Sequence, residues 1–202
     1  VHGPLGGRDL RGDLMLGFHL PALPPIARGG RVNLIANSRA AGGGAGVLPT
    51  GWSTGSLTNS SVTVVGVGTE NGLPYLEVTV AATGAGGGRL SFGAPTIPNS
   101  AQMCLSLYAK LVSGSFTNFS VFIFRIVTLA DGTVRSSTAL GGVTTADLNT
   151  QRQFNQSVAG ASSTSARCEV NWSNTGVGSV TLRLAVPQLE LRVAPTPPII
   201  QG

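Results

Sequence analysis

The side chains of this sequence equipped to transform a substrate or hold a metal are few: two histidines, two cysteines and eight carboxylates. His2 and His19 are the only histidines, and both fall in the N-terminal stretch 1–31. No Ser-His-Asp or Cys-His arrangement can therefore be assembled within the rest of the chain. There is no HExxH, no phosphate-binding loop, and no GxGxxG opening a helix. The glycine-rich stretch 84–88 lies between two strand-like runs and reads as a flexible turn. A glycosidase needs two carboxylates facing each other across a cleft. Glu70, Glu77, Asp131, Asp147, Glu169 and Glu190 are the candidates, and no spacing singles out a pair. These residues predict a domain that is not an enzyme.

Cys104 and Cys168 are too far apart in sequence for a CxxC redox or zinc motif. Both sit in strand-like runs, and the expectation is two small buried hydrophobes. A disulfide pinning two strands is the alternative. Jelly-roll domains often hold a structural calcium through carboxylates and backbone carbonyls. Glu190, near the last strand and meeting Asn37 and Ser38, is the one calcium candidate. A single carboxylate falls short of the roughly six oxygens calcium takes. No cofactor is expected, with that structural calcium as the open option. Sugar rings stack their apolar faces on aromatic side chains. Trp52 and Tyr108 are expected in the core. Trp172, just before the turn 173–176, and Tyr75, following Leu73-Pro74, are the candidate ligand contacts.

The elements that must position these residues are legible in composition. Only 10% of residues are charged, against 42% hydrophobic, with 29 Gly and 12 Pro. Charged residues ordinarily make up about a quarter of a soluble domain. Gly, Ser, Thr, Val and Asn all disfavour helix. The chain suits short strands joined by tight turns. Runs at 61–67, 75–81, 88–92, 102–112, 117–129, 134–140, 152–159, 166–172 and 179–191 read as strands, with 79–82 and 106–110 alternating as half-buried strands do, and 32–35 reads as the strand that opens the fold. The run 120–127 is almost continuously apolar, as expected of a strand covered on both faces or by a partner chain. Asp131-Gly132 reads as a hairpin turn. The expected fold is all-β: an antiparallel β-sandwich of the jelly-roll type. Its length suits one such domain, 32–202, after an extended N-terminal arm or linker, 1–31. That arm carries one apolar cluster, Leu14, Met15, Leu16, Phe18 and Leu20, expected to dock on the domain or on a neighbouring subunit.

The net charge is +5, and Lys110 is the sole lysine among 13 basic residues. A basic balance suits nucleic acid or an anionic glycan. The arginines are scattered and no nucleic-acid motif is present, so no nucleic-acid partner is expected. No segment reaches the roughly 20 apolar residues that span a membrane, and 1–23 lacks the pattern of a secretion signal.

Three stretches carry a family resemblance. Val32-Asn33-Leu34-Ile35-Ala36-Asn37-Ser38 followed by Leu48-Pro49-Thr50-Gly51-Trp52 resembles the opening of carbohydrate-binding-module-like jelly rolls. Residues 105–114 (LSLYAKLVSG) are similar to a middle strand of those domains. Pro187-Gln188-Leu189-Glu190 resembles the last strand of such domains in bacteriophage tail fibres and spikes. The usual glycine after that motif is replaced by Leu191-Arg192, and the usual ending is altered at 194–198. The resemblance spans about 32–198. Asn33 and Asn37 would bridge loop backbones, Trp52 would anchor a loop on the core, and Gln188 and Glu190 would flank Leu189 on a last strand beside the first. It implies a virion surface component, a tail fibre, spike or head fibre, assembled in the bacterial cytoplasm. It implies binding of a bacterial surface polysaccharide for host recognition, contact with other virion proteins through the arm, and a homo-oligomer, expected as a trimer. A purely structural decoration or fibre-connecting role, with no ligand of its own, is the alternative.

Overall fold

The computed structural model describes residues 31–201 with the exception of Asp131. The expected arm, 1–31 with His2, His19 and the apolar cluster, lies outside the described residues except for Arg31, and Asp131 of the expected hairpin turn also lies outside them. The protein is all-β and antiparallel. The eight strands among the described residues are β1 Ser53–Glu70, β2 Leu73–Ser91, β3 Gln102–Gly114, β4 Phe119–Thr128, β5 Val134–Ala139, β6 Arg152–Val158, β7 Ala166–Asn174 and β8 Val177–Glu190. A 3₁₀ turn, Leu148–Thr150, precedes β6. No helix among the described residues is long and apolar enough to cross a membrane.

Alternation builds the layers. On β7, Ala166, Cys168, Val170 and Trp172 point inward, and Arg167, Glu169 and Asn171 stand on the opposite face. On β8, Val180, Leu182 and Leu184 do the same around Thr181 and Arg183. The strands follow the order β5-β4-β7-β2-β8-β3-β6, with β1 paired to β2. The long β2 turns the corner of the sandwich. Its residues 75–83 pair with β8 and its residues 86–91 with β7. The end strands β5 and β6 meet through a side chain, Thr138 Oγ1 donating to Phe154 O at 2.9 Å, and Asn155 Nδ2 of β6 reaches Phe124 O of β4 at 3.1 Å. Between the layers, Leu76, Val78, Leu105, Leu107, Phe124, Ile126, Trp172 and Leu182 form one core. Each such side chain contributes about 1.5–3 kcal/mol by leaving water.

Two expectations about strands are corrected. Residues 84–88 are not a flexible turn but the middle of β2. Glycine is required there by close approach. A Cβ on Gly87 would collide with the Trp172 carbonyl, and one on Gly88 would lie 2.7 Å from the Trp172 ring. Residues 32–35 are not a strand. Leu34 N donates to Leu189 O at 2.8 Å, and the neighbouring bonds are made by the Asn33 side chain instead. The apolar strand β4 lies between β5 and β7, with Phe122, Phe124 and Ile126 inside and Val121 and Ile123 on the outer face with Arg125.

Candidate functional site

The outer face of β4, β7 and β2 carries a cluster of one carboxylate and three arginines among the described residues. Register places Arg125 of β4 opposite Glu169 of β7, Val127 opposite Arg167, and Ser91 of β2 opposite Glu169. Alternation puts Arg89, two residues from Ser91, on the same face. Glu169 is fully covered. Its Oε1 accepts from Arg125 Nε at 2.7 Å, its Oε2 accepts from Arg167 Nε at 2.5 Å, and Arg89 Nε lies 3.7 Å away. The three arginine side chains remain 20–30% exposed. Arg89 also donates from Nη1 to Ser56 Oγ at 2.7 Å. Asn171, next along β7, donates to Gly88 O at 2.9 Å. The carboxylate thus pins two guanidinium groups by their inner nitrogens, and Ser56 holds the third beside them.

A second charged network lies on the outer face of β1, β2, β8 and β3. Glu70 accepts from Lys110 Nζ and from Arg183 Nη1, each at 2.7 Å, and Glu77 accepts from Arg183 Nε at 2.8 Å. The Glu70 carboxyl is held down to about 2, first by the hydrogen bond from Lys110, against the opposing effect of burial, and further by Leu148 N–H and Arg183. It is ionised at neutral pH and holds no proton to donate. Tyr75, one of the two expected ligand contacts, is half-buried here. The Arg183 guanidinium sits 4.4 Å from its ring centre and covers one face.

Trp172, the other expected contact, is not at a rim. Strand β7 runs on to Asn174, so alternation carries Trp172 inward, where it is 1% exposed. It stacks on Phe122 with ring centres 6.0 Å apart, and its Nε1 donates to Ser60 Oγ at 2.8 Å. Trp52 and Tyr108 are buried as expected. Trp52 meets Phe92 edge-on at 4.8 Å and donates to Asn37 O at 3.0 Å.

The motif residues form a clasp. Asn33 Nδ2 donates to Pro187 O at 3.0 Å and Ile199 O at 3.2 Å, and its Oδ1 accepts from Ile35 N and Leu189 N, both at 3.0 Å. Asn37 bridges Ala41 and Thr50 backbones. Gln188 accepts from Ile199 N at 2.7 Å and donates to Glu190 Oε2 at 2.6 Å. Glu190 accepts further from Thr196 N at 2.9 Å and Thr196 Oγ1 at 2.7 Å. Burial pushes its carboxyl up, but the bonds from Thr196 and Gln188 outweigh this and hold it below the usual range. As a calcium candidate Glu190 is therefore poorly placed. Both oxygens face hydrogen-bond donors, Arg192 lies 3.8 Å away, and Asn37 and Ser38 make their bonds elsewhere. No group of three or more His, Cys, Asp or Glu among the described residues is placed to hold a metal. Cys104 and Cys168 are both buried and free. Burial pushes the Cys104 thiol up to about 11, with the Glu190 charge adding to it, and pushes Cys168 higher still.

A shallow pocket of about 240 Å³ opens between residues 34–37, Thr50-Gly51 and 92–95. It presents mostly backbone and apolar carbon, and no ionisable side chain.

No family model matches this sequence, and no curated protein matches it. Solved structures do match in fold. The tripod from the baseplate of bacteriophage Tuc2009 aligns with a TM-score of 0.52 at 18% identity, over 85% of this chain and 59% of that one. The arabinose-bound α-L-arabinofuranosidase MgGH51 aligns with a TM-score of 0.50 at 14% identity, over 79% of this chain and 26% of that one. A CBM4 structure aligns with a TM-score of 0.46 at 11% identity, over 70% of this chain and 86% of that one. The likeness is one of fold. The chain spans under two thirds of the length of the first two.

Sequence reasoning missed the cluster on Glu169. It placed Glu169 in a strand and treated the arginines as scattered. The alternation Arg167-x-Glu169-x-Asn171 announces a polar face, but the cross-strand partners Arg89 and Arg125 follow only from register.

Proposed function

We propose that this chain is a non-catalytic β-sandwich module of a phage-type virion surface assembly, a fibre, spike or baseplate, that binds a bacterial surface glycan. The observation that carries this reading is the partly exposed guanidinium cluster on the outer face of β4, β7 and β2. It offers fixed donors on a rigid sheet, the form in which strands present a binding surface. The fold likeness to the Tuc2009 baseplate tripod supports the virion setting. The absence of a catalytic role is supported by the carboxylates described above. Glu169 and Glu190 are enclosed by donors, and Glu70 is ionised. A glycosidase needs one carboxyl that keeps its proton. The assembly is proposed as a homotrimer formed in the bacterial cytoplasm, joined to other virion proteins through the arm. Light scattering at micromolar concentration tests this, and a monomer contradicts it.

The second reading, a structural connector with no ligand, is favoured by the burial of Trp52, Tyr108 and Trp172, which leaves Phe154 as the one exposed aromatic ring among the described residues. Pull-down of the protein on purified bacterial surface polysaccharides, with an assay for new reducing ends, separates the readings. Retention without cleavage supports the glycan-binding module. Retention with cleavage overturns the non-catalytic claim, and loss of all retention favours the connector.

A further inference from the structure

The two charged networks on the sandwich differ in balance. On the face of β1, β2, β8 and β3, two carboxylates, Glu70 and Glu77, meet two cations, Lys110 and Arg183. On the face of β4, β7 and β2, one carboxylate, Glu169, meets three cations. A network that serves only the fold is best neutral, because like charges drawn to one point repel. Glu169 needs fewer than three arginines to satisfy its two oxygens. The surplus positive charge is held in place, partly open to solvent.

We propose that Arg89, Arg125 and Arg167 form a receptor site for an oxyanion carried on a saccharide, a carboxylate or a phosphate group. This rests on the glycan-binding reading above and names its ligand class. Arg125 and Arg167 are tied to Glu169 through Nε, and no described residue accepts from their terminal nitrogens. Those nitrogens form the planar fork that matches carboxylate and phosphate oxygens. Glu169 acts as a positioning residue. It fixes Arg125 and Arg167, while Ser56 holds Arg89 beside them, before the ligand arrives, so less rotamer freedom is lost on binding. Asn171, and Val121 and Ile123 on the neighbouring strand, supply polar and apolar contacts beside the anion. This face would hold a sugar by charge and hydrogen bonds rather than by stacking, since Trp172 of β7 is turned into the core.

The test is calorimetric titration of the full chain with five probes: an oligogalacturonate, a glycerol phosphate oligomer, a neutral galactose oligomer, inorganic phosphate, and a single-stranded DNA oligomer. The first two distinguish carboxylate from phosphate as the source of the anion. Binding of at least one acidic saccharide, ten-fold or more tighter than the neutral one and weakening with added salt, is expected. R125Q and R167Q should each weaken it ten-fold or more, while R39Q, an equal loss of charge at an exposed site elsewhere, should not. R125K, which keeps the charge beside Glu169, guards against misfolding and should bind more tightly than R125Q. Equal binding of neutral and acidic oligomers, unchanged in R125Q and R167Q, overturns the anion site but leaves glycan binding standing. Equal or tighter binding of DNA or inorganic phosphate overturns the saccharide ligand. Failure of every probe overturns both.

Discussion

Replacing Asn33 by alanine should cost this domain more than its size suggests. The side chain is 2% exposed and ties the segment before β1 to the end of β8 and to the C-terminal tail. Asn33→Ala leaves the N–H groups of Ile35 and Leu189 and the carbonyl of Pro187 without this partner, while Ile199 O keeps the bond from Ser38 Oγ. Each buried group left unpaired costs about 1–3 kcal/mol. A water entering the vacated space would recover part of that, so the expected loss is about 3 kcal/mol rather than the full sum. For a domain of this length that lowers Tm by roughly 6–12 °C. Urea unfolding with an unchanged m-value reads the loss, since the change is one of stability and not of exposed surface. Hydrogen exchange gives the local signature: the amides of Ile35 and Leu189 should lose protection before those of the central strands. Asn33→Asp keeps the acceptor but turns a carboxylate toward two carbonyls, and should be no better than alanine. A loss below about 1 kcal/mol, or unchanged protection at Leu189, would refute the clasp.

Three further outcomes follow from the same structure. Gly87→Val should destabilise β2 by about 3 kcal/mol or more, because its Cβ has no room beside Trp172 O; thermal unfolding reads this, and a near-neutral result would mean that β7 and β2 do not approach so closely. Glu70 has its carboxyl lowered from 4.5 to about 2, so its contribution is complete above about pH 4.5 and fades as pH falls toward 2. The shift alone corresponds to about 3 kcal/mol, and screening at a partly open site reduces it to about 1–2 kcal/mol; Glu70→Gln should show that deficit in urea melts at pH 7 and match the parent near pH 2. Cys104 and Cys168, buried with raised thiol pKa values, should react with a thiol reagent at neutral pH only as fast as the domain opens; rapid labelling under native conditions would contradict their burial.

The strands were legible because alternation is a local signal. Val180, Leu182 and Leu184 announce the inner face of β8 without any knowledge of its neighbours. What failed was whatever depends on neighbours. The glycines at 84–88 mark a turn by composition, but their cause is the close passage of β1 and β7 on either side of β2. Residues 32–35 have strand composition, yet the Asn33 carboxamide takes the place of ladder bonds there. Trp172 looked exposed because a turn follows it, whereas its parity with Cys168 and Val170 already assigned it to the core. The motif residues Asn33, Gln188 and Glu190 make the bonds that tie the segment before β1 to the end of β8 and the tail, and Asn37 ties that segment to Thr50. The site on Glu169 was half visible: the carboxylate and Arg167 share a strand face, but Arg89 and Arg125 lie 80 and 44 positions away in sequence from Glu169 and only the register unites them.

The central claim is that a glycan is held on the outer face of β4, β7 and β2. NMR titration of labelled protein with an acidic surface polysaccharide fragment tests it most directly, because the Nε–H signals of arginines pinned on a buried carboxylate are resolved reporters. The account predicts that the signals of Arg89, Arg125 and Arg167 and the amides around Asn171 shift together along one binding curve. Shifts confined to the opposite face, around Tyr75 and Arg183, or no shifts at all, would contradict it.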